Sequence, residues 1–175
     1  METKNRVIVI GIDGGDLKIV QPLIKEGRLP NIKKIIEQGS SSVLESSILP
    51  SSEQAWTSFS TGCNNGKHNI YSYIQRRNKD YTLELVDGSF FKGKRFWDVL
   101  GEHNKKAVVI NVTGSYPPRK INGVLVAGRL TPNKKVDYTY PSSVKNEIEK
   151  IAPNYIIRVP RPKFSKERRR FYGQG

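Results

Sequence analysis

The chain has a single cysteine in 175 residues and no apolar run long enough to cross a bilayer. Cys63 alone closes no internal disulfide, which excludes a disulfide-stapled scaffold and fits a reducing compartment. The opening METKNRVIVIGIDGG carries a short apolar run with no small-residue cleavage site behind it. It reads as a first strand and not as a secretory leader, so a cytoplasmic protein with no membrane partner is expected. The GIDGG string does not match G-x-G-x-x-G, and no Gly-Lys-Ser/Thr follows it; a dinucleotide fingerprint and a P-loop are both missing. No internal repeat is present, which excludes a solenoid.

What is present is a globular composition, 36% hydrophobic, and a net charge of +14. The charge is unevenly spread. Lys and Arg against Asp and Glu number 11 and 10 in residues 1–90, 12 and 5 in 91–150, and 7 and 1 in 151–175. The basic second half favours anionic partners without choosing among phosphate compounds, nucleic acid and membrane surfaces.

Hydrophobic spacing gives a coarse map. Residues 6–12 read as a buried parallel strand, being β-branched without alternation. Leu17, Val20, Leu23 and Ile24 make a helical face over 17–26, ended by Gly27 and Pro30, and Asn31 is placed to cap a second helix over 32–38. A short strand at 42–45 precedes a helix at 52–60 that carries Ala55, Trp56 and Phe59 on one side. Asn64, Asn65 and Gly66 read as a loop, 70–86 as a polar hairpin turning at 77–80, and 96–103 as a helix. Another buried strand is expected at 107–112, a proline-bearing loop at 116–122, a strand at 124–127 and a helix at 142–151. Strands alternating with helices imply an α/β layered fold with a mainly parallel sheet flanked by helices. The proline-punctuated basic end, 158–175, changes character and reads as a tail or as the start of a further segment beyond a domain of residues 1–157.

Two places carry chemistry. Open parallel sheets form their sites beyond the carboxyl ends of the strands, and Asp13 follows the first strand there. Its carboxylate suits Mg, Mn or Zn; the plainer reading is a cap on the following helix. The second place is SILPSSEQAWTSFSTG, residues 47–62. A serine opening a helix meets unpaired N–H groups and the positive end of the dipole, an arrangement that binds phosphate and favours an alkoxide. The plainer reading is an N-cap, with Gln54 closing a capping box on Ser51. Capping and nucleophilic attack are compatible at one residue. Cys63, Trp56 and Phe59 are expected to be buried, His68 structural, and His103 a solvated helix end.

The blocks VIVIGIDGGD, GRLPNIKKIIEQGS, SSEQAWTSFSTGCNNGKHNIYSY, FWDVLGEHNKKAVVINVTGSYPPRKINGVLVAGRLTP and YTYPSSVKNEIEKI, in this order, carry a resemblance. Over residues 5–157 the chain resembles the amino-terminal half of the type I phosphodiesterase/nucleotide pyrophosphatase family, within the alkaline phosphatase superfamily. It looks most like prokaryotic cytoplasmic members. The resemblance implies hydrolysis of phosphate mono- or diesters through a phospho-enzyme, on a Ser or Thr held by two divalent metal ions, zinc, manganese or magnesium. By the same resemblance Asp13 is a metal ligand and Ser52, not Ser51, is both nucleophile and metal contact.

The chain departs from that pattern. Glu53-Gln54 stands where relatives often have Pro-Pro, setting a negative side chain beside the expected phosphate site, and His68-Asn69-Ile70 replaces His-Gly-Ile. The later Asp and His ligands of the family have no counterpart, since His68 and His103 are the only histidines. The chain therefore looks like part of a site: a truncated segment, a pseudo-enzyme or one piece of a split protein, inactive alone, completed by another chain or a second copy. Its substrate would be a phosphate ester. The alternative is a non-catalytic domain that binds phosphate-bearing ligands or nucleic acid through the basic second half; the resemblance makes nucleic acid the less favoured partner.

Overall fold

A computed structural model describes residues 6–76, 81–91 and 93–158. They fall into two compact units, Met1–Ser46 and Ser47–Gly175. The basic tail from residue 159 and the hairpin turn at 77–80 lie outside the described residues.

The first unit holds two helices. α1, Leu17–Lys25, starts at Asp16, whose carboxylate accepts the Lys18 N–H at 2.8 Å. It ends with the Gly27 and Arg28 N–H groups bonded back to the Ile24 and Leu23 carbonyls. α2, Pro30–Gln38, has Pro30 in its first turn and Leu29 at the N-cap. Pro30 therefore begins this helix, where a missing N–H costs nothing, and Asn31 lies inside it and not at its cap.

Neither expected strand forms in this unit. Residues 6–12 and 42–45 have no ladder, and their side chains face water: Val7 and Ile8 are 85% exposed, Val43 82% and Leu44 93%. The cause is the absence of partners. None of the unit's described residues is buried, and β-branched residues prefer a pleated, half-buried surface that this short segment does not offer.

The second unit contains the core. α3, Ser52–Thr61, ends at Gly62, whose φ of 65° sets the left-handed turn that a side chain would resist. Asn64 then caps a short helix α4, Asn65–His68, accepting the Lys67 N–H, so this stretch is helical and not a loop. β1, Ile74–Gln75, pairs antiparallel with β2, Glu84–Leu85, which makes the expected hairpin. After a 3₁₀ turn at Gly88–Phe90 comes α5, Phe96–Glu102, started by the Asp98 carboxylate, which accepts the Arg95 N–H at 2.8 Å.

The main sheet has the order β3-β4-β5, with β3 Ala107–Ile110 parallel to β4 Gly123–Val126 and β4 antiparallel to β5 Thr139–Tyr140. The fold is α/β, but this sheet is mixed because β5 returns against β4. α6, Ser143–Ile151, follows β5 and packs on it. The core gathers Trp97 from α5, Val109 from β3, Leu125 and Val126 from β4, and Ile121, Tyr138 and Ile157 from the segments around them. β3 is not buried on both faces as its apolar run suggests: Ala107 and Val109 point inward, while Val108 and Ile110 are 70% and 59% exposed. Only one of its faces meets the core.

The β3–β4 register depends on Gly123. It opens β4 opposite Ala107 with φ 142°, and a Cβ there would lie 1.9 Å from the Ala107 carbonyl oxygen. No side-chain adjustment relieves a clash with backbone. Gly123→Ala is expected to destabilise the second unit by about 2 kcal/mol or more, the scale of a forced backbone conformation plus a steric shift. Thermal unfolding followed by circular dichroism checks this; an unchanged midpoint would show that the β4 start is not fixed as described.

Candidate active site

Asp13 lies in a turn of the first unit and is exposed. Ser52 is the first residue of α3 in the second unit, after Ser51 in extended conformation at the N-cap. The helix thus begins where the resemblance sets the nucleophile, at the end where a helix's N–H dipoles point outward.

The expected capping box is missing. The Ser51 side chain makes no cap hydrogen bond, and its Oγ is buried without a hydrogen-bond partner. Gln54 is engaged elsewhere: its amide nitrogen donates to the Tyr71 carbonyl, and its amide oxygen accepts from Asn65 Nδ2. One side chain thereby ties α3 to α4 and to the segment leading into β1.

The orientation of α3 is the second correction. Its buried residues are Glu53, Gln54, Thr57 and Ser60, while Phe59 is 46% exposed and Trp56 half-buried. Hydroxyls on the inner face are satisfied within the helix: Thr57 Oγ1 donates to the Glu53 carbonyl at 2.6 Å, and Ser60 Oγ to the Thr57 carbonyl at 3.1 Å. The aromatic rings form an edge-to-face row along the outer side, with Trp56–Phe59 and Phe59–Phe96 centroids 5.7 Å apart and Phe96–Trp97 4.9 Å apart. Only Trp97 of this row belongs to the core. Cys63 is likewise half-buried and not fully enclosed.

Glu53 therefore does not present its charge beside the helix end. It is 2% exposed, faces inward, and neither carboxylate oxygen has a hydrogen-bond partner. The cavity it lines also receives Thr57, Asp87 and Arg95. Sequence reasoning missed the burial of Glu53 and of Arg95. The available signal was the spacing of Glu53, Thr57 and Ser60, a polar stripe as regular as the apolar one.

His68 is buried, and both ring nitrogens are occupied. Nδ1 accepts the Ile70 N–H at 3.1 Å, so in the neutral ring the proton is on Nε2, which lies 3.0 Å from Ser58 Oγ and donates to it. The ring thus has no free lone pair for a metal, in line with a structural role. His103 ends α5 as an exposed C-cap.

A family model described as Type I phosphodiesterase / nucleotide pyrophosphatase matches residues 7–169. An α/β domain with a serine heading a helix is common to many proteins, and the match is what makes the class specific. The chain belongs to the type I phosphodiesterase/nucleotide pyrophosphatase family, whose chemistry is phosphoric ester hydrolysis. The match spans most of the chain and runs past residue 157 into the basic stretch. Neither the comparison with curated proteins nor that with solved structures finds a match.

The family is generally metal-dependent. Among the described residues, no group of three or more His, Cys, Asp or Glu side chains is placed to hold a metal ion. These residues by themselves do not fit the two-ion centre that the resemblance implies.

Burial lowers the His68 pKa from its ordinary value of 6.5. The unfolded chain then binds the proton at a higher pH than the folded one. Stability linked to His68 is complete above the ordinary value and is lost as pH falls from there toward the lowered folded value. Urea midpoints measured across that window are expected to drop with pH in the native chain and to flatten in His68→Gln. An equal slope in both would remove His68 as the source.

Proposed function

We propose that this chain is the nucleophile-bearing part of a phosphoric ester hydrolase, cleaving a phosphate mono- or diester through a phosphoserine on Ser52. The observation that carries the reading is the placement of Ser52 as the first residue of α3, within a family match of residues 7–169. There its oxygen attacks phosphorus while N–H groups of the first turn, Glu53 among them, receive the charge on the equatorial oxygens. The serine proton is lost to solvent as the P–O bond to the leaving group breaks, and the leaving group departs with that electron pair and takes up a proton. Water then hydrolyses the phosphoserine, releasing phosphate from a monoester or a phosphate monoester from a diester.

Asp13 is the proposed metal ligand of the first unit. Asp13 and Ser52 are too few to hold two ions, and His68 has both nitrogens engaged. The remaining ligands would come from outside the described residues, supplied by a completing chain or a second copy. The exposed face of β3, with Val108 and Ile110, supports such an association. When bound, the ions would lower the serine hydroxyl pKa and neutralise charge on the phosphoryl group.

A cytoplasmic setting belongs to the same proposal. Among the described residues, no helix is long and apolar enough to cross a membrane. The alternative of a basic nucleic-acid-binding module loses ground because the family match runs to residue 169 and takes in most of the basic stretch.

The test is release of chromophore from a chromogenic phosphodiester with added manganese or zinc, for the chain and its Ser52→Ala variant. The expected result is negligible multiple turnover by the chain alone. Turnover that Ser52→Ala abolishes would show a site completed between copies. Turnover that survives Ser52→Ala would overturn the assignment of the nucleophile.

A further inference from the structure

The cavity beneath the first turn of α3 combines a buried carboxylate and a buried guanidinium that do not meet directly. Glu53 is 2% and Arg95 4% exposed, and both line the space together with Thr57, Asp87, Phe91 and Gly114. Asp87 Oδ1 is already occupied, accepting from the Ser89 N–H at 2.8 Å and the Ser89 hydroxyl at 2.5 Å. Arg95 Nη2 donates to the Gly114 carbonyl at 2.7 Å, and its guanidinium carbon lies 5.8 Å from the Phe91 ring centre and 5.6 Å from that of Trp97. Neither oxygen of Glu53 accepts a hydrogen bond. A carboxylate without a hydrogen-bond partner in the interior is costly, and a guanidinium lining the same cavity is its natural counter-charge.

The cavity that both residues line measures about 10 Å³, close to what one water molecule needs. Its wall chemistry selects the same occupant. A cation would meet the guanidinium and an anion the carboxylate. A water can donate to Glu53, accept from Arg95, and turn its second hydrogen to a free lone pair of Thr57 Oγ1, whose own proton goes to the Glu53 carbonyl.

We propose that one internal water bridges the Glu53 carboxylate and the Arg95 guanidinium, forming a water-linked ion pair that fixes the first turn of α3 to the start of α5. The inference does not depend on the hydrolase reading, because unfolding and electron density report it without any turnover.

A double-mutant cycle on urea unfolding tests the linkage, using Glu53→Gln, Arg95→Met and the combined variant. Removing both charges is expected to cost less than the two single losses together, by about tenfold or more in the unfolding equilibrium constant, or about 1.4 kcal/mol. Losses that simply add would overturn it. A high-resolution crystal structure of the native chain decides the matter if a variant fails to fold. One water hydrogen-bonded to both side chains is expected; a direct Glu53–Arg95 contact, or a cavity without density, overturns the bridge.

Discussion

The burial of the polar side of α3 is the constraint on which the second unit depends. A helix that turns Glu53, Gln54, Thr57 and Ser60 inward must find a partner for each of their polar groups. Thr57 and Ser60 solve this locally by bonding carbonyls of their own helix, which leaves the packing of neighbours undetermined. Gln54 solves it at a distance, and in doing so brings α4 and the segment before β1 to the helix. The polar interior thus specifies which pieces adjoin α3. An apolar face would have been less selective.

The sheet supplies the rigidity that such a polar arrangement needs. β3 and β4 pair in parallel over four residues each, and their inward side chains share a core with Trp97 of α5. The residue before Trp97, Phe96, continues the aromatic row onto the outer side of α3. Arg95, one residue earlier still, reaches the Gly114 carbonyl in the segment after β3. Three consecutive residues therefore connect the outer rings, the apolar core and the polar cavity. Desolvation, with Arg119 adding repulsion against a partial offset from Asp98, lowers the Arg95 pKa to about 10, which leaves it charged at neutral pH.

Much of this was legible in the sequence where local signals and tertiary partners agree. The helix at 96–103, the hairpin, the strands at 107–112 and 124–127 and the helix at 142–151 all appear, shifted by a residue or two at their ends. The signal failed where a partner was assumed. Residues 6–12 have strong strand composition but no ladder, because a strand is defined by its neighbours and not by β-branched side chains alone. The stretch at Asn64–Gly66 failed for the opposite reason. Asn64 suits a turn, yet the same short side chain accepts the Lys67 N–H and starts a helix.

The start of α3 was legible, but its orientation was not. Ser52 does open α3, but hydrophobicity predicts that Trp56 and Phe59 turn inward, whereas Phe59 is 46% exposed and Trp56 only half-buried. Periodicity shows that a helix has two faces; it does not say which is buried when each can be satisfied. Phe59 and Trp56 keep part of their apolar contact in the edge-to-face row, so exposing that side costs less than the residue types suggest. Glu53 and Gln54, by contrast, are long enough to reach partners across the interior, and one of them does so at both ends of its amide. Packing thereby accounts for Gln54 at this position. The glutamate is buried in a cavity that Arg95 also lines, which withholds its charge from the solvent side of the helix start.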